Sequence, residues 1–194
     1  MLVIRKLAAP EAGALKAHLL RLDAEDRRLR FGHFITPEVI LASCDAIQWE
    51  RTWIVGAFEG DTLRGVAELR DMGSAEAGRT GELSVTVERA FQDRGLGTRL
   101  LEEALLIARN RGFRSLYLLC LPDNPKMHHV ARKFSDRLSF QGGDVEVRIK
   151  SPQPDALSFF AEAFGDAMAL WQTMIGRTTG DNPTKSPARQ PSLP

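Results

Sequence analysis

The sequence predicts an α/β fold (α+β in some classification schemes), with helices flanking a mixed central sheet of six to seven strands and an extra helix at the C-terminus. Residues 53–58 and 63–70 have the composition of strands, and segments of helical periodicity precede and follow them. Residues 59–61 (Glu-Gly-Asp) form a hairpin signal between these two strands. Residues 116–121 are almost wholly apolar, which is typical of a strand buried on both faces of a sheet.

The N-terminal quarter of the chain predicts one strand and three helices. The first strand covers residues 2–7, and a helix begins at Pro10. Asp23 is the predicted N-cap of a short helix whose first turn is acidic and whose last turn is basic. Thr36, followed by proline, is the N-cap of a third helix that ends near Ile47.

The central stretch predicts a strand, a glycine-bearing turn and the start of a helix. Residues 72–80 are rich in Gly, Ser and Ala and predict a loop. A strand follows at residues 82–88, then a turn with Gly95 and Gly97, and then a helix that ends near residue 110. The glycines let backbone N–H groups converge at the positive end of a helix dipole, which favours a phosphate or pyrophosphate ligand.

The last third predicts the rest of the sheet and a C-terminal helix. After the apolar strand, a helix begins at Pro125 and extends to about Arg137, and residues 145–150 form a further strand. Prolines at 152 and 154 mark a joint. We therefore expect a main domain at residues 1–150, an amphipathic helix at 151–176 and a flexible tail at 177–194.

One face of the C-terminal helix is strongly apolar. We expect this face to be buried on the domain or on a second chain, the latter giving a homodimer. The residues that share it are Leu157, Phe160, Phe164, Met168, Trp171 and Ile175.

Composition narrows the class of protein. The chain is 43% hydrophobic and 26% charged with a formal charge of +1, so no nucleic-acid or acidic-membrane partner is expected. No apolar run approaches the roughly 20 residues of a membrane helix, and the N-terminus lacks a signal-peptide pattern, which predicts a cytoplasmic protein. Cys44 and Cys120 have no metal-binding spacing, so we predict buried thiols and no metal.

Three kinds of glycine turn bind phosphates, and the spacing separates them. A dinucleotide fold needs a third glycine where this chain has Leu100, and a triphosphatase loop needs Gly-Lys-Ser/Thr where this chain has Gly97, Thr98 and Arg99. The remaining pattern, Gln92-x-x-Gly95-x-Gly97 directly after a strand, resembles the acyl-CoA pyrophosphate loop of the GNAT superfamily of N-acetyltransferases.

The resemblance covers residues 2–150, because the predicted order of elements is that of the GNAT fold. It implies acetyl-CoA as the donor, and Asn124, followed by Met127, resembles the family's asparagine that supports the pantetheine arm. It also implies that the backbone of a strand grips this arm and that the turn holds the pyrophosphate. The matching strand residues are Val85, Thr86 and Val87, and the matching turn residues are Gln92, Asp93, Arg94, Gly95, Leu96, Gly97 and Thr98.

The resemblance also implies a reaction, in which a primary amine attacks the thioester directly in a ternary complex. The amine is mostly protonated at neutral pH, so a base is needed. Glu82 matches the catalytic glutamate of bacterial protein-lysine acetyltransferases, with a surface ion pair as its alternative role, and Glu68 is the reserve base. A general acid is less evident, since the family's tyrosine is replaced by Ala131.

Other acids and the acceptor are left open by the sequence. Tyr117 lies in the apolar strand, and at most one of the adjacent His128 and His129 would face the cleft. Residues 22–31 resemble a segment of protein-lysine acetyltransferases, which makes a protein lysine the leading acceptor beside small amines. The rival hypothesis is a non-catalytic acyl-CoA sensor.

Overall fold

A seven-stranded mixed sheet forms the centre of the protein in a computed structural model, which describes residues 1–75, 78–135, 138–141 and 144–180. The strand order is β1-β2-β3-β4-β5-β7-β6. The strands are β1 (Leu2–Leu7), β2 (Thr52–Glu59), β3 (Thr62–Ala75), β4 (Gly78–Val87), β5 (Ser115–Cys120), β6 (Leu138–Gln141) and β7 (Asp144–Lys150).

The sheet has one parallel pair among antiparallel ones. Strands β1 to β4 form an antiparallel meander, β5 is parallel to β4, and β7 is antiparallel to both β5 and β6. This confirms the predicted mixed sheet. The predicted loop at 72–80 is wrong, because β3 runs to Ala75 and pairs with Gly78 of β4. Residues 76 and 77, between these strands, lie outside the described residues.

Within the part of the chain that the structure describes, six α-helices flank or extend the sheet. They are α1 (Ala12–Arg21), α2 (Ala24–Phe31), α3 (Pro37–Asp45), α4 (Leu96–Asn110), α5 (Pro125–Ala131) and α6 (Ala156–Gly180). The Asp23 cap of α2 is confirmed, since its Oδ1 accepts a hydrogen bond of 2.8 Å from the Asp26 N–H. Helix α5 is shorter than predicted, because from Lys133 the backbone tightens to i→i−3 hydrogen bonds.

Two hydrophobic clusters, each built around a different set of helices, pack against the sheet. Helix α4 contributes one cluster with residues at helical spacing, among them Leu100, Leu101, Ala104 and Ala108, against the inner strands. Helices α1 and α3 contribute the other with residues such as Leu15 and Ile40. Each helix therefore buries the stripe that its sequence period predicts.

Helix α6 is placed differently from what its apolar stripe suggests. It lies against β1 and α4 through polar and small side chains, and Ser158, Glu162 and Ala169 are its buried residues. The apolar stripe faces away, with Phe160 69% exposed and Trp171 61% exposed. Of the two predicted ways to bury this stripe, burial on the domain is therefore wrong. The predicted tail begins at residue 177, whereas α6 continues to Gly180. The chain beyond residue 180 lies outside the described residues.

Three smaller expectations concern cysteines, metals and membranes. Cys44 and Cys120 are both buried, as predicted. Within the described residues, no cluster of His, Cys, Asp and Glu could hold a metal ion. Across that same part of the chain, no helix combines the length and apolarity needed to cross a membrane.

Candidate active site

The candidate site begins where two parallel strands separate. Residues 80–83 of β4 pair with residues 115–118 of β5, and beyond this register the strands diverge. A cavity of about 530 Å³ opens there, lined by residues 84–87 on one side and 118–120 on the other. Its volume is that of a typical site for a small organic ligand. Because the strands separate, the backbone groups on this edge of residues 84–87 lack the β5 partner that residues 80–83 have.

The glycine turn closes one end of this cavity. Asp93 (φ 59°) and Gly95 (φ 75°) both adopt left-handed backbone conformations on either side of Arg94. Such alternation turns successive N–H groups toward one point and makes an anion-binding nest. Helix α4 starts directly after Gly95, and among the described residues no side chain caps it. Its first N–H groups are therefore available to an anion.

The surroundings of the turn also fit a phosphate group. A Cβ atom built on Gly95 would have no neighbour within 4 Å, so this position faces open space. Two lysines from the neighbouring segment stand beside the turn. Lys126 Nζ donates to Gln92 Oε1 and Asp93 Oδ2, both at 2.8 Å, and Lys133 Nζ donates to Thr98 Oγ1 at 3.2 Å. The sequence did not identify either lysine as a site residue; Lys126 lies in the first turn of α5 and Lys133 two residues past its end.

Most of the residues predicted to bind the cofactor line this cavity. They are Val85, Thr86, Val87, Gln92, Asp93, Gly95, Leu96, Gly97, Thr98 and Asn124. Arg94 does not, because the left-handed residues on both sides of it turn the backbone. The Asn124 side chain is buried and accepts a hydrogen bond of 3.1 Å from the Met127 N–H, so it caps α5 at the cavity wall.

Helix α2 lines part of the cavity and is tied to three neighbouring segments by polar contacts. Asp26 Oδ1 accepts from Gln92 Nε2 at 3.3 Å. Arg28 pairs with Asp123 at 2.6 Å, on the β5–α5 connection. Arg30 pairs with Glu68 on β3 at 2.8 Å. Burial raises the pKa of Asp26. Asp26 and Arg30 both line the cavity, and the sequence did not identify Arg30 as a site residue.

A buried histidine supports β4 behind the cavity. His18 of α1 is fully buried, with Nε2 at 2.9 Å from Thr86 Oγ1 and Nδ1 at 3.4 Å from Glu88 Oε1. Burial lowers the pKa of His18 despite the nearby Glu88 carboxylate. Burial alone would raise the pKa of Glu88, but hydrogen bonds from Arg21 and Arg64 outweigh it and lower the value. The Thr86 side chain is therefore engaged with His18, which leaves the Thr86 backbone to face the cavity.

Both candidate bases are engaged in ion pairs on neighbouring strands. Glu82 pairs with Arg70 across the β3–β4 ladder and does not line the cavity. Glu68, held by Arg30, lies opposite Ser84, which does line the cavity. The two carboxylates share one face of the sheet, because residues two apart on a strand point the same way. Either must leave its arginine or act through water to reach an amine in the cavity.

The structure also places each residue considered as a general acid. His128 Nε2 is 3.1 Å from the Leu121 carbonyl oxygen, whereas His129 lines the cavity. Ala131 is fully buried. Tyr117 is half-buried beside Glu82 in the parallel ladder, with the Arg148 guanidinium 5.6 Å from its ring centre. His129 is thus the one of the two adjacent histidines that faces the cleft.

Comparison with known proteins agrees with this geometry. A family model described as acetyltransferase (GNAT) family matches residues 19–135. The fold resembles the GNAT domain of S. lividans PAT, with TM-score 0.63 and 21% identity over 76% of this chain and 89% of that one. It also resembles PaiA N-acetyltransferase from Thermoplasma acidophilum, solved with coenzyme A, with TM-score 0.57 and 20% identity over 77% and 99% of the two chains.

A third similar structure is YncA from Salmonella typhimurium, solved with acetyl-CoA, with TM-score 0.58 and 19% identity over 80% of this chain and 99% of that one. Identities at this level show a shared fold. The parted strands, the glycine turn and the helix start, on this sheet, place the protein in the class with the GNAT fold. The chain belongs to the acetyltransferase (GNAT) family, and the predicted family and fold are confirmed.

Proposed function

We propose that this protein is an acetyl-CoA-dependent N-acetyltransferase that transfers an acetyl group to a primary amine by direct attack in a ternary complex. One observation carries the proposal. A single cavity runs from the uncapped start of α4 to the point where β4 and β5 separate, so an anion site and unpaired strand backbone share one space. Structures of the same fold that hold coenzyme A or acetyl-CoA support this choice of donor.

Each part of the cavity has a role in binding the donor, which supplies the acetyl group as a thioester. The N–H groups of the turn, at residues 93–98, hold the pyrophosphate, with Lys126 and Lys133 adding positive charge beside it. The backbone of residues 85–87 holds the pantetheine arm, next to the Asn124 cap. A strand N–H facing the thioester carbonyl stabilises the negative charge that develops on its oxygen.

The base has to remove a proton from an acceptor whose ammonium group, in the case of lysine, has a pKa near 10.4. We assign this role to Glu82, acting directly or through a water molecule, with Glu68 in reserve. Both carboxylates lie on the sheet face covered in part by α2, and Glu68 lies opposite a cavity residue. A thiol leaving group has a pKa near 8.5, so it departs without a dedicated acid.

We propose a protein lysine as the acceptor. Support comes from the resemblance of residues 22–31 to protein-lysine acetyltransferases, since part of this segment lines the cavity as α2. Two acidic residues of this segment are engaged in other contacts. Asp23 caps α2 and pairs with Arg89 at 2.8 Å, and Glu25 pairs with Arg28 at 2.7 Å.

The assignment of the base is tested with Glu82→Gln. We expect acetyl-CoA affinity to stay the same, because Glu82 does not line the cavity, and turnover on lysine-bearing proteins to fall by about 100-fold, the typical contribution of a general base. Coenzyme A release measures turnover, and calorimetry measures affinity. Glu59→Gln is the matched control, since Glu59 is also a strand glutamate paired with an arginine. Unchanged turnover in Glu82→Gln would remove this residue from the role and move it to Glu68.

A non-catalytic acyl-CoA sensor is the second candidate. The Glu82–Arg70 pair favours it, because a carboxylate neutralised by arginine outside the cavity is a poor base. The two functions differ in a simple screen. An N-acetyltransferase releases coenzyme A in the presence of lysine peptides, polyamines, aminoglycosides or lysine-bearing proteins from the source lysate. A sensor binds acetyl-CoA with the affinity that such an enzyme has, but it releases no coenzyme A with any of these acceptors.

A further inference from the structure

Helix α6 carries two opposite stripes, and the more apolar one points away from the domain. With 3.6 residues per turn, Ser158, Glu162, Ala169 and Thr173 fall on one side, and this side faces the domain. The opposite side is the apolar stripe, which includes Leu157, Phe160, Phe164, Met168 and Trp171. All five are exposed in the monomer, which is unusual for a contiguous set of large apolar side chains.

The helix cannot bury this stripe by rotating about its own axis, because its polar stripe is fixed. Lys6 Nζ contacts both Glu162 Oε1 and Asp166 Oδ2 at 2.6 Å. Asn110 Nδ2 donates to Glu162 Oε2 at 2.6 Å and to the Ser158 carbonyl oxygen at 2.9 Å. Arg111 adds a second cation at 3.1 Å from Glu162. Rotation would break a buried charge network and leave its members unpaired.

The apolar stripe is also ordered within itself. The rings of Phe160 and Phe164 stack with centroids 6.1 Å apart and an interplanar angle of 16°. A stripe whose aromatic side chains already pack against one another loses little side-chain entropy when a partner covers it. This arrangement favours a specific protein partner.

Two other coverings fit the stripe poorly. The chain beyond residue 180 has 14 residues with one large apolar side chain, Leu193, so it cannot cover five large side chains. A helix that lies on a membrane surface has a basic polar face, whereas the polar stripe of α6 carries Glu162 and Asp166.

We propose that a second copy of this chain covers the stripe, with the two α6 helices packed against each other across a two-fold axis. The five side chains, together with Phe159 and Leu170 beside them, expose on the order of 800 Å² if a full large side chain offers about 150–250 Å². A stable interface buries about 800 Å² on each partner. The stripe lacks charged residues, so a copy of itself is complementary to it.

The proposed interface leaves the candidate active site open. Among the described side chains of α6, none lines the cavity. Helix α6 packs on β1 and α4, while the cavity opens between β4 and β5. Each subunit therefore keeps a complete site, and association and acetyl transfer are separable.

Analytical ultracentrifugation of the full chain over a dilution series tests this. We expect the wild-type protein to sediment as a dimer and Phe164→Glu to weaken association by at least about tenfold, as for a central aromatic residue of an interface. Val39→Glu is the matched control, since Val39 is an exposed apolar residue on α3. It should sediment as the wild type does. Circular dichroism and acetyl-CoA affinity should be unchanged in both variants, which separates lost association from lost folding.

Three results would overturn the proposal. A wild-type chain that stays monomeric over the whole series has no second copy on the stripe. A dimer that survives in both Phe164→Glu and Trp171→Glu is formed through another surface. A monomer that floats with vesicles of phosphatidylserine and phosphatidylcholine, and loses this ability in Phe164→Glu, uses the stripe for lipid.

Discussion

Helices α4 and α6 lie against each other, both are amphipathic, and they bury opposite kinds of face. Helix α4 packs its apolar residues on the sheet, including Leu100 and Leu101, which are fully buried. Helix α6 packs its polar stripe, centred on Glu162, and turns its apolar stripe outward. The difference shows that periodicity defines which residues share a face, and that the partners available on the domain decide where the face points.

The partners explain the contrast. The sheet offers α4 an apolar surface, so burial of apolar area stabilises its docking. The surface that receives α6 offers Lys6, Asn110 and Arg111 instead, and it binds a carboxylate. Glu162 satisfies these groups with a side chain that is 9% exposed. Docking of α6 therefore depends on charge-assisted hydrogen bonds, which are stronger than neutral ones but sensitive to protonation.

The largest expected effect is the difference in unfolding free energy between truncations in the apolar faces of α4 and α6. Leu101→Ala in α4 should lower the free energy of unfolding by about 3 kcal/mol, because it leaves a cavity in a fully packed core. Leu157→Ala in α6 should change it by less than about 0.5 kcal/mol, because that side chain is 78% exposed. Urea unfolding measures both, in a Phe164→Glu background that removes association. Equal losses would mean that the apolar face of α6 is buried within the monomer.

A second, smaller effect should come from the polar face. Glu162→Gln keeps the shape of the side chain and removes its charge, which should weaken docking of α6 by about 2 kcal/mol, the scale of a hydrogen bond to a charged group. Hydrogen exchange should show faster exchange along α6, while the α4 amides stay protected. Asp166→Asn is the control, because Asp166 meets the same Lys6 but is 44% exposed, and its effect should be smaller.

Glu162→Gln also tests how the docking of α6 depends on pH. Burial would raise the pKa of Glu162, but hydrogen bonds from Lys6 and Asn110 outweigh it and lower the pKa below its ordinary value of 4.5. Below that value the unfolded chain binds more protons than the folded one, so the contribution of Glu162 is present above pH 4.5 and lost as the pH falls through the folded pKa. Glu103 of α4 acts in the opposite sense, since burial raises its pKa.

The acid-induced loss of α6 protection should therefore be larger in the wild type than in Glu162→Gln. Glu103 and the N-cap Asp155 titrate in both proteins, so the difference between them reports Glu162 alone. If both proteins lose protection equally, docking of α6 does not depend on this carboxylate.

The contrast between the helices also explains what the sequence could predict. Six of the seven strands, the glycine turn and the residues of the α6 stripe follow from local patterns, and the structure has them. Strand β6 and the extension of β3 to Ala75 were not predicted. The direction of the stripe does not follow, because Glu162 meets Lys6 across 156 residues of chain. In the candidate site, too, local patterns predict some features, and others depend on contacts between distant residues. The turn is visible in Gly95 and Gly97, since backbone geometry requires glycine there.

The side-chain contacts of the site were not predictable. Asp26 reaches Gln92 across 66 residues and His18 reaches Thr86 across 68, and neither pair has a local signal. The sequence gives the ion pair of Glu82 only as an alternative to a catalytic role, because an ion pair between neighbouring strands depends on the strand register. Here the register sets Glu82 opposite Arg70.

The smallest effect on stability should distinguish the two helix N-termini. Asp155 caps α6 by accepting a hydrogen bond of 2.8 Å from the Ser158 N–H, so Asp155→Ala should cost about 1 kcal/mol in docking of α6 and leave acetyl-CoA affinity unchanged. Helix α4 starts at Gly95 without a side-chain cap, which leaves its N–H groups for the donor's phosphates. Gly95→Asp should therefore change stability little, since Asp tolerates a left-handed conformation, but weaken acetyl-CoA binding by more than about tenfold.

Calorimetry with Gly95→Asn as the control tests the second half of this contrast. Asparagine has the same size and tolerance of positive φ but no charge, so it should lose much less affinity than aspartate. Similar losses in both variants would point to the shape of the turn, because charge repulsion would then play no part. Wild-type affinity in Gly95→Asp would remove the turn from the donor site. The uncapped start of α4 would then be a cost to stability without a ligand to offset it.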